Sequence, residues 1–182
     1  MKSLERLGSR PVSLTLAADD VVEFHMARLL LLLKLCGTAG RIDGLTKMAK
    51  LDFFVRYPDF FQAARDQADG TGVSDRAVES AMVRHHYGPW DKRYYHVLAN
   101  LEGKRLISVT KEKNSYRIAL TDLGQDRSRR LLALPSFMPI VERMKEVKNA
   151  FGSRSGSSLK DMIYKVFDEE VRRRPLGEVI EA

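Results

Sequence analysis

Residues 82–124 read MVRHHYGPWDKRYYHVLANLEGKRLISVTKEKNSYRIALTDLG, and this stretch decides the fold that we predict. Its segment 91–102 carries apolar and aromatic side chains at positions 94, 95, 98 and 101, which is the spacing of one face of an α-helix. Gly103 follows, and glycine commonly ends a helix because it tolerates a positive φ angle. We therefore predict a helix over 91–102.

Two runs of strand-forming residues follow this helix, LISV at 106–109 and YRIAL at 116–120. The polar segment 110–115 between them is long enough for the tip of a β-hairpin. Thr121 and Asp122 then offer side-chain caps for a further helix. Helix, hairpin and helix in this order indicate a winged helix-turn-helix. The predicted fold class is mainly α (α+β), with additional N- and C-terminal helices around that unit.

An aromatic-glycine-proline-aromatic sequence, residues 87–90, precedes the predicted helix. Ser74 can cap an earlier helix that runs to about His86, so residues 87–90 occupy the position of the turn in a helix-turn-helix. Trp90 is the only tryptophan of the chain. We expect it to fill the joint between the two helices, and an exposed binding role is the alternative.

Glycine, proline and serine divide the chain into four segments. Residues 1–18 are expected to form a flexible N-terminal arm, and residues 19–151 a winged-helix domain with helical additions. The sequence GSRSGSS at 152–158 is typical of a linker. Residues 159–182 are expected to form a C-terminal amphipathic helix and tail, which docks on its own domain or on a partner. The first helix, ending near Cys36, is apolar almost all round, so it is either central in the fold or covered by another subunit.

The 182 residues carry a net charge of +7, and this charge is unevenly distributed. Residues 1–90 hold 12 Lys+Arg against 11 Asp+Glu, whereas residues 91–182 hold 19 against 13. The basic half is therefore the one with the predicted hairpin, as expected for a surface that meets an anion, although solubility alone accounts for an excess of this size. A single cysteine, no signal-peptide pattern and no apolar run long enough to cross a bilayer favour a soluble, cytoplasmic protein without a membrane partner.

Basic and polar side chains on the predicted helix and hairpin are candidates for contact with double-stranded DNA. Those on the helix would face a groove, and those on the hairpin would contact phosphates. The candidates are Lys92, Arg93, His96, Asn100, Lys104, Arg105, Lys111, Lys113 and Arg117. Against this interpretation, Tyr94 and Tyr95 occupy positions that DNA-binding helices often give to small polar groups. A solvated hairpin without a ligand is the plainer alternative.

The sequence contains no known catalytic, cofactor or metal motif: HExxH, CxxC, GxSxG and EF-hand spacings are all missing. His85 and His86 are adjacent, so on a helix they would point about 100° apart and could not hold one ion from the same face. We therefore predict a protein that is not an enzyme and uses no cofactor or metal.

Three blocks of sequence carry a resemblance to a known family. They are GLTKMAKLDFFVRYP at 44–58, RHHYGPWDKRYY at 84–95 and SLKDMIY at 158–164. The first is similar to a signature G-x-T-K-hydrophobic-A-K-L-D-F-x-x-R-Y-P, and the second to R-x-x-Y-G-P-W-D-x-R-Y-Y. These signatures belong to the small middle components of bacterial ABC-three-component systems, which include the C subunit of the Lamassu antiphage complexes. The blocks span most of the chain, and the third is short.

The resemblance implies an accessory subunit of an SMC-like (Rad50-like) ATPase in an antiviral defence complex, with an effector such as a nuclease as a further component. ATP hydrolysis and nucleic-acid cleavage would belong to those partners. Charged residues within the mainly apolar helix 44–57 would either form a buried ion-pair network or contact a partner. The residues expected at partner contacts are Lys47, Lys50, Arg56, Trp90, Leu159, Met162, Ile163 and Phe167. The alternative function is a free-standing winged-helix DNA-binding transcriptional regulator.

Overall fold

Helices dominate the part of the chain that the structure, a computed structural model, describes: residues 21–69, 83–85, 88–113 and 115–167. The helices are α1 (Val22–Cys36), α2 (Leu45–Arg56), α3 (Pro58–Asp69), α4 (Tyr94–Gly103), α5 (Asp122–Leu132), α6 (Met138–Phe151) and α7 (Gly156–Val166). The strands are β1 (Arg41–Asp43), β2 (Val83–His85), β3 (Gly88–Trp90), β4 (Ile107–Glu112) and β5 (Ser115–Leu120). The predicted class, mainly α with a small antiparallel sheet, is confirmed.

The principal sheet has three antiparallel strands in the order β1-β5-β4. Its hairpin β4–β5 is the one that the sequence predicted, with Ile107 opposite Leu120 and Glu112 opposite Ser115. Strand β1 was not predicted, because three residues after a glycine-containing turn give too short a pattern to recognise. It pairs with β5 through Ile42 opposite Ile118, and both isoleucine side chains are buried. The buried side chains of β1 and β5 thereby anchor the sheet to the helical core.

Helix α1 lies at the centre of the fold. It contacts α2, α4, α5 and α6, and its consecutive leucines 29–33 are all buried. A helix that is apolar all round must be covered on every side, because each exposed leucine forfeits about 2 kcal/mol of burial. Of the two alternatives that the sequence left open, the structure therefore shows the central position within this chain.

The segment before α4 is a β-hairpin, whereas the sequence predicted a helix running to about His86. Strands β2 and β3 pair antiparallel, with the backbone of Val83 opposite Trp90 and that of His85 opposite Gly88. Residues 88–90 of the predicted inter-helical turn are thus strand β3, and residue 87 and the start of the predicted helix at Ser74 lie outside the described residues. Helical periodicity here was short, and short helices are marginal without tertiary packing.

The predicted linker at 152–158 is reduced to a tight turn, because α7 already begins at Gly156. The Ser155 hydroxyl caps this helix by accepting a hydrogen bond from the Ser158 amide at 3.1 Å. A Cβ at Gly156 would come within 2.9 Å of the Lys47 amide nitrogen, so the glycine permits α7 to approach the first turn of α2. The helix consequently docks on its own chain, against α2 and α3. Residues 1–18 and the tail beyond residue 167 lie outside the described part.

We expect Gly124→Ala to lower the free energy of unfolding by about 2 kcal/mol, as overpacking of a buried site does. Gly124 is buried in the first turn of α5, and a Cβ there would overlap the Leu106 carbonyl oxygen. Gly103→Ala is the matched control, because no atom lies within 4 Å of its Cβ position. Urea denaturation should show the control unchanged or stabilised by helix propensity. Equal stability of the two variants would show that α5 does not pack this closely on the chain before β4.

Candidate partner and nucleic-acid interface

Helix α4 divides cleanly into a buried and an exposed face. Tyr94, Val97, Leu98 and Leu101 are buried, as the apolar spacing predicted. The exposed face carries Lys92, immediately before the helix, followed by Tyr95, His96, Ala99 and Asn100. We call these five residues the α4 stripe. Their spacing of three and four residues places them along one line of the helix surface.

The α4 stripe combines one large aromatic ring with small and polar groups. Tyr95 is 63% exposed, and its ring lies 5.8 Å from that of Trp90. The Asn100 amide donates a hydrogen bond to the His96 carbonyl oxygen at 2.8 Å. At the margin, the Glu102 carboxylate accepts a hydrogen bond from the Val109 amide at 3.0 Å. The stripe therefore presents donors and an aromatic face, and the neighbouring carboxylate is already engaged with β4.

Five cations, one on the α4 stripe and four beyond α4 or on the hairpin β4–β5, have no ion-pair partner among the residues that the structure describes. They are Lys92, Lys104, Arg105, Lys111 and Lys113, and all are exposed. Arg117 differs, since its guanidinium lies 2.6 Å from the Glu112 carboxylate and 3.5 Å from that of Asp43. The structure thus brings most of the predicted DNA-contacting residues onto α4 and the adjacent hairpin, with five cations available to phosphate groups.

Beneath α4 lies a buried cluster of charged and polar side chains, which we call the arginine–aspartate cluster. Its members are His25, Arg28, Asp52, Arg56, Asp91, Arg93 and Tyr94. It joins α1, α2 and the start of α4. Buried charge is tolerated only where it is paired and hydrogen-bonded, and both carboxylates of the cluster accept hydrogen bonds from arginine side chains.

Asp52 forms one half of the cluster. Its carboxylate accepts hydrogen bonds from Arg28 Nε at 3.0 Å and Nη2 at 3.3 Å, and from the Tyr94 hydroxyl at 2.7 Å. Burial and the charge of Asp52 raise the pKa of Tyr94 well above its usual value. The phenol therefore keeps its proton and remains a donor to Asp52, which fixes the first turn of α4 against α2.

Asp91 forms the other half. It accepts hydrogen bonds from Arg56 Nη1 at 2.8 Å and from Arg93 through Nε at 2.9 Å, Nη2 at 2.8 Å and the backbone amide at 2.9 Å. Burial acts to raise the pKa of Asp91, but the hydrogen bonds from Arg93 and the charge of Arg56 hold it well below its usual range. Burial likewise opposes the charge on Arg56, and the neighbouring carboxylates outweigh it, so that its pKa is raised.

His25 links the two halves on the side of α1. Its Nδ1 lies 2.8 Å from Arg28 Nη1, and its Nε2 lies 2.9 Å from Arg93 Nη1. A neutral imidazole accepts a hydrogen bond through only one nitrogen, so at any moment it satisfies one of these two guanidiniums. The cluster therefore connects the central helix to Arg93, a member of the predicted DNA-contacting set whose guanidinium is half-buried and bonded to Asp91.

Lys50 is buried beside the hairpin β2–β3, where its ammonium nitrogen lies 2.8 Å from the Pro89 carbonyl oxygen. Burial lowers the pKa of Lys50 to about 7. The amine therefore changes its charge near neutral pH, and it donates to Pro89 in either form. This contact ties α2 to the strand that leads into α4.

Most residues that were expected at partner contacts are enclosed by their own chain. Buried among them are Lys50, Arg56, Trp90, Leu159, Ile163 and Phe167. Met162 and Lys47 are half-buried, and the Lys47 ammonium donates a hydrogen bond to the Gly152 carbonyl oxygen at 2.9 Å. Of the charged residues of α2, Asp52 and Arg56 join the buried ion-pair network that was the alternative to partner contact, whereas Lys47 and Lys50 donate to backbone carbonyl oxygens. Polar substitution at Leu159 and Ile163 would accordingly destabilise the fold of this chain, so a loss of partner binding in such a variant would not identify a contact surface.

Sequence reasoning missed His25, Arg28, Asp91 and Tyr94 as members of one cluster. A signal existed in α1, where His25 and Arg28 stand three residues apart in the middle of a mainly apolar helix. Such a pair is expected to point in one direction and to require a partner of opposite charge. The identity of that partner could not be read from the sequence, because Asp52 lies 24 residues away.

A cleft of about 280 Å³ is lined by Cys36, Arg41, Lys47 and Arg154, among others. Beside it the Lys148 ammonium donates to the Cys36 and Gly37 carbonyl oxygens, both at 3.0 Å, and so caps the end of α1. Burial raises the pKa of the Cys36 thiol to about 12. The described residues include no cluster of metal-ligating side chains.

Within the described part of the chain, every helix is too short or too polar to cross a bilayer. Comparison of the chain with protein families, curated proteins and solved structures finds no match.

Proposed function

We propose that the chain is a non-catalytic subunit that contacts double-stranded DNA through a winged-helix unit made of α1, β1, α2, α4, β4 and β5. The order of these elements and the sheet order β1-β5-β4 support this assignment. In a winged helix, the helix before the hairpin lies in the major groove and the hairpin contacts the flanking backbone. The hairpin β2–β3 and α3 are additions to that plan and stand between α2 and α4.

The observation that carries the DNA contact is the α4 stripe with its five unpaired cations. Tyr95, His96 and Asn100 are donors or stacking groups of the kind that reach base edges, and lysines around them fit phosphates. A solvated surface would be expected to mix both signs of charge. Here the nearby carboxylates of Glu102 and Glu112 are bound to the hairpin and to Arg117 respectively.

We further propose that this subunit belongs to an SMC-like ATPase complex of antiviral defence, with an effector such as a nuclease as a third component. The support is the resemblance of the blocks at 44–58 and 84–95 to middle components of such systems. These blocks also meet in space, since Asp52 and Arg56 of the first are bonded to Tyr94 and Asp91 of the second. If members of a family share a fold, their signature blocks are expected to contact each other, and the two blocks here do so through one buried cluster.

Alanine at Lys92, Lys111 and Lys113 together is expected to weaken binding of a 20-base-pair duplex roughly tenfold to a hundredfold at moderate salt. Each lost phosphate contact also reduces the slope of log affinity against log salt by about 0.9. Fluorescence anisotropy across a salt series measures both quantities. The matched control replaces three exposed cations far from the hairpin, Arg65, Lys145 and Lys165. Equal loss in the two triple variants would mean that only net charge matters and would overturn the α4 interface.

The second candidate, a free-standing regulator, is favoured by the same stripe and differs in its assembly. A regulator should bind a defined duplex on its own and form a symmetric dimer. A subunit of an SMC-like complex should instead stay bound to its ATPase. We expect a tagged chain, purified from its own cells after nuclease digestion, to retain an ATPase with long coiled-coil arms, which mass spectrometry would identify. Recovery of the chain alone, with DNA fragments in the undigested sample, would instead establish the regulator.

A further inference from the structure

The junction between α5 and α6 exposes apolar side chains that nothing in the described fold covers. We define it as residues 131–139 and call it the α5–α6 joint. Leu134 is 45% exposed and Met138 is 44% exposed, and both prolines of the joint are exposed beside them. Most exposed apolar residues on a protein surface occur singly, whereas a contiguous group marks a binding surface.

The α5–α6 joint is held in a fixed shape by the core beneath it. Phe137 stacks on Phe24 of α1 with ring centroids 6.3 Å apart. Leu131, Leu132 and Ile140 are half-buried against the core. A ligand that docked here would meet a surface that is already ordered, so little conformational entropy would be lost on the side of this protein.

Three arginines lie on the α5 side of the joint, and one of them, Arg130, is paired with Asp126 at 3.0 Å. The sequence from 127 to 141, RSRRLLALPSFMPIV, contains three arginines and no acidic residue. Arg127 and Arg129 are exposed on α5. Helix α6 begins at the joint with no acidic residue in its first turn, and its first exposed carboxylate, Glu142, follows in the next turn. The joint therefore combines an apolar centre with a positive rim.

We propose that the α5–α6 joint is a docking surface for an acidic amphipathic helix of a partner protein. Leucine-type side chains of such a helix would cover Leu134 and Met138, and its carboxylates would face Arg127, Arg129 and the start of α6. An anionic membrane shares part of this chemistry, but interfacial anchoring requires a long apolar face, whereas the exposed centre here is small. The proposal rests on the proposed function only for the role of that partner as another subunit of the complex. DNA would then remain the ligand of the α4 stripe.

A labelled 18-residue peptide of leucine and glutamate with an amphipathic helical pattern tests the proposal, with fluorescence anisotropy on the full chain as the measurement. We expect it to bind, and a peptide with lysine in place of glutamate to bind at least about tenfold more weakly because the rim is positive. Leu134→Glu combined with Met138→Glu should reduce affinity by about tenfold or more through loss of apolar contact and added repulsion. Leu123→Glu is the matched control, because Leu123 is 44% exposed at the other end of α5. It should bind the peptide as the wild type does.

Several results would overturn the proposal. The first is binding of both peptides alike, or equal loss in the control and the double variant. A wild-type dimer that the double variant converts to a monomer, seen by analytical ultracentrifugation, would assign the joint to a second copy of the chain. If the double variant bound phosphatidylserine vesicles more weakly than the wild type but bound the peptide equally well, the joint would be assigned to a membrane. No peptide binding, together with destabilisation by the double variant, would mean that the chain covers the joint itself. DNA affinity, measured in parallel, reports on the proposed function independently.

Discussion

Asp52→Asn is expected to lower the free energy of unfolding by about 3–5 kcal/mol, as removal of one partner from a buried ion pair does. The substitution keeps the volume of the side chain but removes its charge. Arg28 is fully buried and would lose its bidentate carboxylate, and the Tyr94 hydroxyl would lose its acceptor. Since small domains are stable by only about 5–15 kcal/mol, the variant should unfold at a much lower urea concentration.

Asp43→Asn is the matched control for this experiment. Asp43 also pairs with arginines, Arg41 at 3.2 Å and Arg117 at 3.5 Å, but on the surface of β1. Exposed pairs contribute about 0–1 kcal/mol because water screens them. A second test replaces both buried partners by apolar residues, Arg28→Met with Asp52→Leu, and should recover much of the lost stability. If Asp52→Asn and Asp43→Asn had similar effects, the carboxylate would not be the buried centre of the cluster.

The second large effect is a pH dependence that belongs to Lys50. Its pKa is about 7 in the folded chain and near 10.4 in an unfolded one. Between these values the unfolded chain binds more protons, so stability is greatest at high pH and is lost as the pH falls towards 7. From pH 6 to pH 9 the contribution of Lys50 is expected to rise by about 2–3 kcal/mol.

Lys50→Met isolates this contribution. The methionine fills a similar volume and does not titrate, so the difference in unfolding free energy between wild type and variant should itself change with pH by about 2–3 kcal/mol. Urea denaturation at pH 6, 7, 8 and 9 gives this difference. Cys36 and Tyr94, whose pKa values are raised by burial, titrate in both proteins and cancel in the comparison. Parallel curves for the two proteins would place the Lys50 ammonium in water.

Helix α4 and both strands of the hairpin β4–β5 were predicted, because 3.6-residue and two-residue periodicities are local and survive in the fold. The tip of the hairpin was predicted too long, at 110–115, whereas β4 runs to Glu112 and β5 begins at Ser115. The prediction of a helix before α4 was wrong, because a short helical pattern there yields to strand pairing between β2 and β3. Local propensity is a weak preference, and tertiary contacts override it.

The sequence by itself determined the mainly α class, the all-round apolar character of α1, the hairpin and the basic residues beside it. Each of these depends on the identity of neighbouring residues and on their spacing. The tertiary structure alone decided that Asp52 and Asp91 hold Arg28, Arg56 and Arg93 in one buried cluster, and that α7 docks on its own chain. Those outcomes depend on contacts between residues far apart in the chain, and the free energy of such a contact exists only once the elements are packed together.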